Sequence, residues 1–283
     1  MIEPFDPGMP VFYQFSGTRI IVNSFFPIYV SSTINSPTIL QKAKDLSLNL
    51  GIPFLPFADL PRQGVILAYT EIGLQLLSCK KSGKDQTLLH VDFIRGKNGY
   101  RHTRNLTTKQ SLARAAGIRP GVRPSVLDAT AGLGSDSFVL ACLGCTVHML
   151  ERSLVLHALL EDGLKRAAQH PRTQTIVEKK MRIFHKNAIS YLQKMTAVYD
   201  TIYLDPMYPH RSGKALNRQT MRIIRDLVGN DEDSSFLLEI ACSKAKKRVA
   251  VKRPKGAEYL AQRPPSFMIK SKNSRYDIYL LST

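Results

Sequence analysis

From residue 125 onward, short apolar segments alternate with longer segments of helical period, and no other feature of the sequence restricts the possible folds as strongly. Strands that alternate with helices at this spacing are typical of βαβ units, in which the strands lie parallel in one sheet. The last two extended segments are expected to pair as an antiparallel hairpin. The fold class is therefore α/β, with a mostly parallel sheet. The predicted strands are 126–128, 145–150, 181–184, 201–204, 248–251, 267–269 and 276–281, and the predicted helices are 135–143, 154–168, 188–195, 216–228 and 236–244.

The residues before this region predict a second, smaller domain. At about 150 residues per domain, a chain of 283 residues suits two domains. Residues 1–25 are rich in proline, glycine and aromatic side chains without a clear period, and we interpret them as an N-terminal extension. A small α/β domain is predicted for 26–94, a basic linker for 95–123 and the alternating domain for 124–283. Strands are predicted at 27–30, 65–69, 72–76 and 88–94, and helices at 36–50 and 109–116.

The chain has 40 lysine and arginine residues against 22 aspartate and glutamate residues, which gives a formal net charge of +18. A charge this large suggests a polyanionic partner, because each cationic side chain placed on a phosphate releases a condensed counterion. An acidic membrane surface would require a basic amphipathic helix or a lipid anchor, and we find neither in the sequence. Nucleic acid is therefore the predicted partner.

Other classes of protein are disfavoured by the sequence. No stretch is apolar over the roughly 18 residues that a membrane helix requires. Glu3 and Asp6 precede the first basic residue, Arg19, which argues against a signal peptide. Four cysteines are too few for a disulfide scaffold, and the pair Cys142 and Cys145 has no second pair that would complete a zinc site. We interpret this pair as buried and apolar, predict no metal site, and expect a soluble, cytoplasmic protein.

The first predicted strand of the large domain leads into a glycine turn that opens a helix. Asp128 ends the strand, and the turn contains Gly132 and Gly134, which let a ligand approach the backbone closely. Glu151 ends the next strand, where an acid can accept hydrogen bonds from both hydroxyls of a ribose. Because ligands bind beyond the carboxyl ends of parallel strands, these residues predict a site for a nucleoside-containing cofactor.

Two cofactors fit this site, a nicotinamide dinucleotide and S-adenosylmethionine. Ser137 occupies the position of the third glycine or alanine of the dinucleotide fingerprint. Asp136 stands at the start of the helix, whereas a pyrophosphate prefers a helix N-terminus without an acid. An acid there suits a ligand that has no phosphate and carries a positive sulfonium. S-adenosylmethionine is therefore the predicted cofactor, and a nicotinamide-dependent oxidoreductase is the alternative.

The fourth predicted strand leads into Asp205-Pro206-Met207-Tyr208-Pro209, which resembles the Asp-Pro-Pro-Tyr motif of amino-group methyltransferases with methionine in place of the second proline. An exocyclic amine is a poor nucleophile, because its lone pair is delocalised into the ring. If the Asp205 carboxylate and the Pro206 carbonyl each accept one N–H bond, the lone pair is directed at the methyl group. Tyr208 is predicted to stack on the base, a contact worth about 1–3 kcal/mol. These three residues are the predicted catalytic residues.

Basic runs flank the predicted amine pocket. One run follows the Asp-Pro motif at 211–225, and a second lies at 244–255. Two runs on either side of the pocket favour contact with RNA over a merely solvated surface. The basic loop at 95–104 is either a further phosphate contact or a solvated linker. His210 is not assigned a catalytic role, because an amine proton becomes acidic after methylation and can leave to water.

Three segments together resemble the ribosomal small subunit methyltransferase J family, whose members transfer methyl from S-adenosylmethionine to guanine N2 in 16S rRNA. They are Asp-Ala-Thr-Ala-Gly-Leu-Gly at 128–134, Leu-Asp-Pro-Met-Tyr-Pro at 204–209 and Val-Lys-Arg-Pro at 251–254. The resemblance covers about residues 88–283 and implies a class I, Rossmann-like methyltransferase sheet with small-subunit rRNA as substrate, free or within the 30S subunit. It also implies cofactor contacts at Ser135, Asp136, Glu151, Arg152, Asn187, Ala188 and Asp205.

The chain departs from the family pattern in three places. Ser135 stands where a basic residue is expected, and Asn105-Leu106 replaces a glycine-rich stretch. Residues 1–25 have no counterpart that we recognise. The predicted function is methyl transfer to a guanosine N2 of 16S rRNA. The alternatives are the same chemistry on another amine, such as adenine N6, and an RNA-binding protein without activity, because the chemistry of the motif alone does not select the base.

Overall fold

The structure is a computed structural model that describes residues 12–15, 18–21, 27–61, 64–79, 86–95, 106–206 and 233–281. These residues form two compact units, of which the first contains the described residues up to Val91 and the second those from Asp92 onward. No helix within the described ranges is long and apolar enough to cross a bilayer.

The first unit contains a four-stranded sheet, one helix and a separate two-stranded pair. Its elements are β1 (Phe12–Phe15), β2 (Thr18–Ile21), β3 (Ile28–Ser32), α1 (Pro37–Leu50), β4 (Gly64–Thr70), β5 (Gly73–Cys79) and β6 (Gln86–His90). The sheet order is β3-β4-β5-β6, with β3 parallel to β4 and the other pairs antiparallel. The two strands predicted on either side of Thr70-Glu71 are thus confirmed. β1 and β2 pair antiparallel within the segment that the sequence predicted as an extension.

The second unit is a seven-stranded sheet with helices between its parallel strands. Its helices are α2 (Ser111–Ala116), α3 (Ser135–Cys142), α4 (Leu154–Ala168), α5 (Gln174–Lys180), α6 (Ala188–Lys194) and α7 (Ser234–Lys244). Its strands are β7 (Ser125–Asp128), β8 (Thr146–Glu151), β9 (Met181–His185), β10 (Thr201–Leu204), β11 (Arg248–Pro254), β12 (Phe267–Lys270) and β13 (Ser274–Leu280). The order is β12-β13-β11-β10-β7-β8-β9, in which β11 to β9 are parallel and the β12–β13 hairpin is antiparallel. The predicted α/β class and the terminal hairpin are confirmed.

The strand order reverses between β7 and β10, at the centre of this sheet. The chain runs outward from β7 to β8 and β9, and then returns to β10 and β11 on the other side of β7. All four residues of β10 are buried, as expected for a central strand with both faces covered. Leu204 packs in one cluster with Leu192 of α6 and Leu237 of α7. This packing fixes the carboxyl ends of β7 and β10, where open α/β sheets bind ligands.

The structure also differs from the predicted elements at α5, β6 and β11. Helix α5 was not predicted, because Val177 is its only buried residue and the segment has no apolar period. β6 ends at His90 rather than at 94. β11 continues to Pro254, because it pairs with β13 as far as Pro254 and Ser274. The helix predicted at 216–228 lies outside the described residues.

Candidate active site

The turn after β7 is fixed to both neighbouring strands by backbone hydrogen bonds. The N–H of Ala129 donates to the carbonyl of Tyr203 on β10 at 3.0 Å. The N–H of Ala131 donates to the carbonyl of Leu150 on β8 at 3.1 Å. The turn therefore spans the point at which the strand order reverses.

The two predicted glycines of this turn have different surroundings. Both adopt positive φ, 55° at Gly132 and 69° at Gly134, a region that other residues rarely occupy. A Cβ on Gly132 would meet no atom within 4 Å, whereas a Cβ on Gly134 would lie 2.6 Å from Leu160 Cδ1 and 3.3 Å from Phe93 Cζ. Gly132 thus borders open space suited to a ligand, and Gly134 allows the turn to pack on the core.

Asp128 ends β7 and connects the turn to helix α3. It is 2% exposed, and its Oδ1 accepts a hydrogen bond from the N–H of Thr130 at 3.1 Å. Its Oδ2 accepts a hydrogen bond from the Ser137 hydroxyl at 2.5 Å. Burial, supplemented by the charges of Asp136 and Asp205, raises the pKa of Asp128 to about 7. The Asp128 side chain therefore holds the turn and carries a proton through part of the neutral range.

Glu151 ends β8, and backbone N–H groups donate hydrogen bonds to both of its carboxylate oxygens. Its Oε2 accepts the N–H of Gly132 at 2.9 Å, and its Oε1 accepts the N–H of Ser153 at 2.7 Å. The residue is 5% exposed, and burial raises its pKa, although the backbone donors and the charge of Arg152 act to lower it. Each carboxylate oxygen has a second lone pair, so the group can still accept hydrogen bonds from ribose hydroxyls.

Asp205 follows β10 and stands beside the same turn. Its N–H donates to Thr130 Oγ1 at 2.6 Å, so its backbone is tied directly to the glycine turn. Its side chain is 39% exposed, whereas Pro206, the next residue, is buried. The carboxylate is therefore fixed at its base and accessible to a substrate.

Three charged or phenolic side chains, Lys252, Asp136 and Tyr203, form a cluster with this carboxylate. The Lys252 ammonium lies 2.8 Å from Asp205 Oδ2 and 2.8 Å from Asp136 Oδ2. The Tyr203 hydroxyl donates to the same Asp136 oxygen at 2.7 Å. Burial alone would lower the pKa of Lys252, but Asp205 and Asp136 outweigh burial and raise it. Burial and the same two carboxylates raise the pKa of Tyr203 well above its ordinary value, so Tyr203 remains a neutral donor.

The other predicted cofactor contacts lie at the carboxyl ends of β8 and β9 and at the start of α3. Arg152 Nη1 pairs with Asp233 Oδ2 at 3.1 Å. Asn187 caps α6, because its Oδ1 accepts the N–H of Ser190 at 3.1 Å. Ala188 is buried, and Ser135 is the partly buried first residue of α3. The fold brings all the described site residues to one end of the sheet.

Several predicted functional residues lie outside the described ranges. They are Tyr208, which is predicted to stack on the base, together with Met207, Pro209, His210, the basic run 211–225 and residues 96–104 of the basic loop. Their predicted roles stay predictions.

The sequence predicts that the basic run at 244–255 lies beside the pocket, and for the first half of the run this is wrong. β11 begins at Arg248, so the first half of the run lies at the opposite, amino end of the strand. There Lys247 pairs with Asp200 at 2.9 Å. At the carboxyl end, Arg253 is 7% exposed and donates to the carbonyl of Glu258 at 3.0 Å. The contacts of Lys252 with Asp136 and Asp205 are not predicted by the sequence, in which Lys252 is only part of the Val-Lys-Arg-Pro motif.

The cysteine pair lies away from this site, at the junction of α3 and β8. Cys145 is buried and Cys142 is partly buried. Burial raises the pKa of Cys142 to about 12 and that of Cys145 to about 11, so both remain protonated thiols at neutral pH. Within the described ranges, no group of three histidine, cysteine, aspartate or glutamate residues is placed to hold a metal ion.

The described residues fit S-adenosylmethionine. Gly132 borders open space, and the neighbouring Glu151 carboxylate can accept hydrogen bonds from the hydroxyls of a ribose. Asp128, Asp136 and Asp205 against Lys252 give a net charge of −2 when all are ionised and −1 when Asp128 is protonated. A negative site of this kind favours a cationic sulfonium over a pyrophosphate.

Known proteins identify the family. The family model for SAM-dependent methyltransferases matches residues 55–281. Ribosomal RNA small subunit methyltransferase J of Desulfotalea psychrophila is 48% identical over 250 residues, which cover 88% of this chain and 95% of that protein. The protein of the same name from Nitrosococcus oceani is 44% identical over 244 residues, covering 85% and 94%.

A crystal structure agrees with this assignment. The SAM-dependent methyltransferase from Neisseria gonorrhoeae superimposes with a TM-score of 0.66 at 31% identity, covering 89% of this chain and 95% of that one. The Rossmann-like fold and S-adenosylmethionine as cofactor are thereby confirmed, and the nicotinamide alternative is set aside. The chain with the glycine turn at 128–134 and the Asp-Pro motif at 205–206 belongs to the ribosomal RNA small subunit methyltransferase J family of SAM-dependent methyltransferases.

Proposed function

We propose that this protein transfers the methyl group of S-adenosylmethionine to the exocyclic N2 amine of a guanosine in small-subunit (16S) rRNA. The observation that carries the proposal is the position of Asp205, a 39% exposed carboxylate tied to the glycine turn where the strand order reverses. The names of the relatives supply small-subunit rRNA as the substrate class. The net charge of +18 supports a phosphate-rich partner.

Glu151 and the glycine turn are proposed to hold the cofactor, which supplies a methyl group on a positively charged sulfur. Glu151 would accept the ribose hydroxyls, and Gly132 would leave room for the ligand beside the backbone. Asp128 would act through the turn, because it is buried and holds Thr130 within the turn and Ser137 in α3. The remaining proposed contacts are Gly134, Ser135, Asp136, Arg152, Asn187, Ala188 and Asp205.

Asp205, Pro206 and Tyr208 are proposed to act on the amine. The Asp205 carboxylate and the Pro206 carbonyl would each accept one N–H bond, so that the nitrogen lone pair points at the methyl group. Tyr208 would stack on the base and fix its plane. Holding the amine and the methyl donor in line lowers the barrier by removing the entropic cost of their encounter. The amine proton becomes acidic when the N–C bond forms, and water can accept it.

The substrate base must be accessible to this pocket. A base within a helix would have to be extruded, at a cost of a few kcal/mol. We therefore expect the modified guanosine to lie in a loop or in a distorted helix, either in free rRNA or in the 30S subunit. This reaction belongs in the cytoplasm, where small subunits are assembled.

The test is transfer of labelled methyl from S-adenosylmethionine to small subunits, and separately to naked 16S rRNA, from cells that lack this protein. Wild type, Asp205→Ala and Asp200→Ala are compared, and digested nucleosides are identified by mass. Asp200 precedes β10 at the opposite end of the strand and is the matched control. We expect N2-methylguanosine from wild type and Asp200→Ala, and formation slowed by about 10²-fold or more with Asp205→Ala.

Other results would contradict defined parts of the proposal. Label on adenosine or another nucleoside would keep the methyltransferase and exclude guanine N2. Near-normal turnover by Asp205→Ala would exclude the amine-orienting role. If the protein binds RNA but transfers no methyl group to either small subunits or naked 16S rRNA, it is an RNA-binding protein without this activity.

A further inference from the structure

Lys252 occupies a position that its place in a basic run did not suggest. Its ammonium is shared between two carboxylates, Asp205 and Asp136, at 2.8 Å from each. The Lys252 side chain is 29% exposed and the Asp136 side chain 16%, so this pair is largely shielded from solvent, whereas the Asp205 side chain is 39% exposed. Ion pairs that are shielded in this way keep more of their Coulomb attraction than fully exposed pairs do.

The contacts come from separate parts of the fold. Lys252 is on β11, Asp136 is in the first turn of α3, and Asp205 follows β10. Tyr203 adds a hydrogen bond from β10 to the same oxygen of Asp136. Lys252 is also the register partner of Tyr276 on β13. The ammonium therefore joins the cofactor side of the site, at α3, to the amine side, after β10.

A lysine that contacts RNA phosphates would point away from the protein and lack a fixed acidic partner. Lys252 instead has two such partners, one of which is the carboxylate proposed to orient the amine. Two carboxylates held this close would repel each other without a cation between them. Lys252 is thus better placed to arrange the site than to attract the substrate.

We propose that Lys252 is a positioning residue for methyl transfer, which holds the Asp205 carboxylate ionised and in place by bridging it to Asp136. The proposal rests on the proposed role of Asp205 in orienting the amine. Lys252 touches neither methyl donor nor amine in this scheme, and acts through Asp205. Its effect is on the rate of the transfer step rather than on RNA affinity.

The proposal predicts that a variant without the Lys252 ammonium has a different dependence of kcat on pH. The described titratable groups around Lys252 are Asp136, Asp205, Tyr203 and, beyond them, Asp128 of β7 and Tyr276 of β13. Removal of the ammonium takes away the cation that pairs with Asp205 and leaves the Asp136 carboxylate close to it, which raises the pKa of Asp205. An ionised Asp205 is needed to accept the amine N–H, so activity is lost as pH falls. In a variant without this charge, the acidic limb of the pH–kcat profile moves to higher pH.

The experiment compares wild type, Lys252→Met, Lys252→Arg and Lys247→Met with the small subunit or naked rRNA that wild type methylates. Lys247→Met is the matched control, because it removes a lysine–aspartate pair at the other end of β11. We expect Lys252→Met to lower kcat by about tenfold to a hundredfold, the effect of a misplaced catalytic group, with KM for RNA nearly unchanged. The acidic limb of the pH–kcat profile of Lys252→Met should move to higher pH. Lys252→Arg should recover part of the loss in kcat and part of the pH shift, and Lys247→Met should match wild type in both.

Three outcomes would overturn the proposal. The first is an unchanged kcat and pH profile for a folded Lys252→Met. The second is a raised KM for RNA with unchanged kcat and a weaker dependence on salt, which would make Lys252 a phosphate contact. The third is no recovery by Lys252→Arg when thermal unfolding shows that both variants are folded.

A second measurement separates this proposal from the proposed function. Carboxyl carbon NMR, with Asp205 assigned by comparison with Asp205→Asn, follows the titration of this group in wild type and Lys252→Met without any substrate. We expect Asp205 to titrate at higher pH in the variant. An unchanged titration would overturn the positioning role even if transfer is observed. Absence of transfer by wild type, with the titration shifted, would refute the proposed function and leave the bridge by Lys252 supported.

Discussion

Glu151 and Asp205 both end parallel strands of the same sheet, yet the protein holds these two carboxylates by different means. Glu151 is 5% exposed and accepts two backbone N–H groups, from Gly132 and Ser153. The Asp205 side chain is 39% exposed and is bound to the ammonium of Lys252. In the cofactor half of the site, around Glu151, backbone hydrogen bonds therefore hold the acid in place, and in the transfer half, around Asp205, a side-chain ion pair does so.

This difference corresponds to what each half must do. A cofactor that is the same in every turnover can be held by rigid backbone donors and a buried acid. A substrate amine that approaches from a large RNA needs an accessible carboxylate, and such a group cannot be fixed by burial. Pairing with Lys252 fixes it while leaving it exposed. The transfer half should accordingly be sensitive to charge and pH, and the cofactor half to shape.

The largest expected effect is that of Asp205→Ala on the transfer step. Removing the amine acceptor should lower kcat by about 10²-fold or more, since misorientation of a reacting group costs about this much. Affinity for S-adenosylmethionine should fall only modestly, because Glu151 and the glycine turn are intact. Single-turnover transfer and calorimetric titration of the cofactor measure the two quantities separately. Equal losses in both would place Asp205 in the cofactor half and remove the distinction.

Gly134→Ala tests the shape requirement of the cofactor half. The new Cβ would lie 2.6 Å from Leu160 Cδ1 in the buried core, at a φ of +69°. We expect a loss of about 2–4 kcal/mol in the free energy of unfolding, from left-handed strain together with overpacking. Chemical denaturation of the purified variant measures it.

Gly132→Ala is the matched control for that substitution. Its φ is also positive, but its Cβ would meet no atom within 4 Å. We expect a loss of stability of only about 1–2 kcal/mol, together with weaker binding of S-adenosylmethionine if the open space is the ligand site. Equal destabilisation by both substitutions would show that the packing against Leu160 is unimportant.

Glu151→Gln tests the charge of the cofactor half. Glutamine retains one acceptor oxygen, but its NH₂ group must face one of the two backbone N–H donors, at Gly132 or Ser153. We expect the Kd for S-adenosylmethionine to rise about tenfold, the cost of an unmatched polar group, while kcat at saturating cofactor stays within a few-fold of wild type. A fall in kcat with unchanged Kd would assign Glu151 to the transfer half.

The two halves also differ in how far the sequence predicts them. Glu151 is found from the sequence because an acid at the end of a strand, after a glycine turn, is a local pattern. The role of Lys252 is not, because its partners lie 47 and 116 residues away along the chain. The sequence shows that Lys252 is charged, but the pairing of β11 with β10 decides which end of the sheet it reaches.

The sequence predicts the fold well wherever apolar residues recur at a regular helical spacing. An example is α4, whose observed bounds of Leu154–Ala168 equal the predicted ones. α5 was missed because a short helix with one buried residue, Val177, leaves no period to detect. The extension of β11 to Pro254 was missed because it depends on pairing with β13, which is a property of the assembled sheet.

Asp128 connects the two halves. Its titration is expected to change the free energy of unfolding, and this is the smallest of the predicted effects. It holds the glycine turn, but the charges of Asp136 and Asp205 add to burial in raising its pKa to about 7. The folded protein therefore binds this proton more tightly than the unfolded chain does. The stabilising contribution is complete below the ordinary aspartate pKa of about 3.8 and is lost as pH rises through about 7. Between pH 6 and pH 8 the loss amounts to about 1 kcal/mol.

Asp128→Asn mimics the protonated acid and should remove this loss. Denaturation from pH 6 to pH 8 should show the variant gaining about 1 kcal/mol relative to wild type as pH rises. Ser137→Ala removes a hydrogen bond that lowers the pKa of Asp128, so it should move the window to higher pH. A flat difference between Asp128→Asn and wild type would mean that Asp128 is already ionised at pH 6. The turn would then carry a full negative charge beside Asp136 and Asp205, and the cofactor half would depend on charge as strongly as the transfer half does.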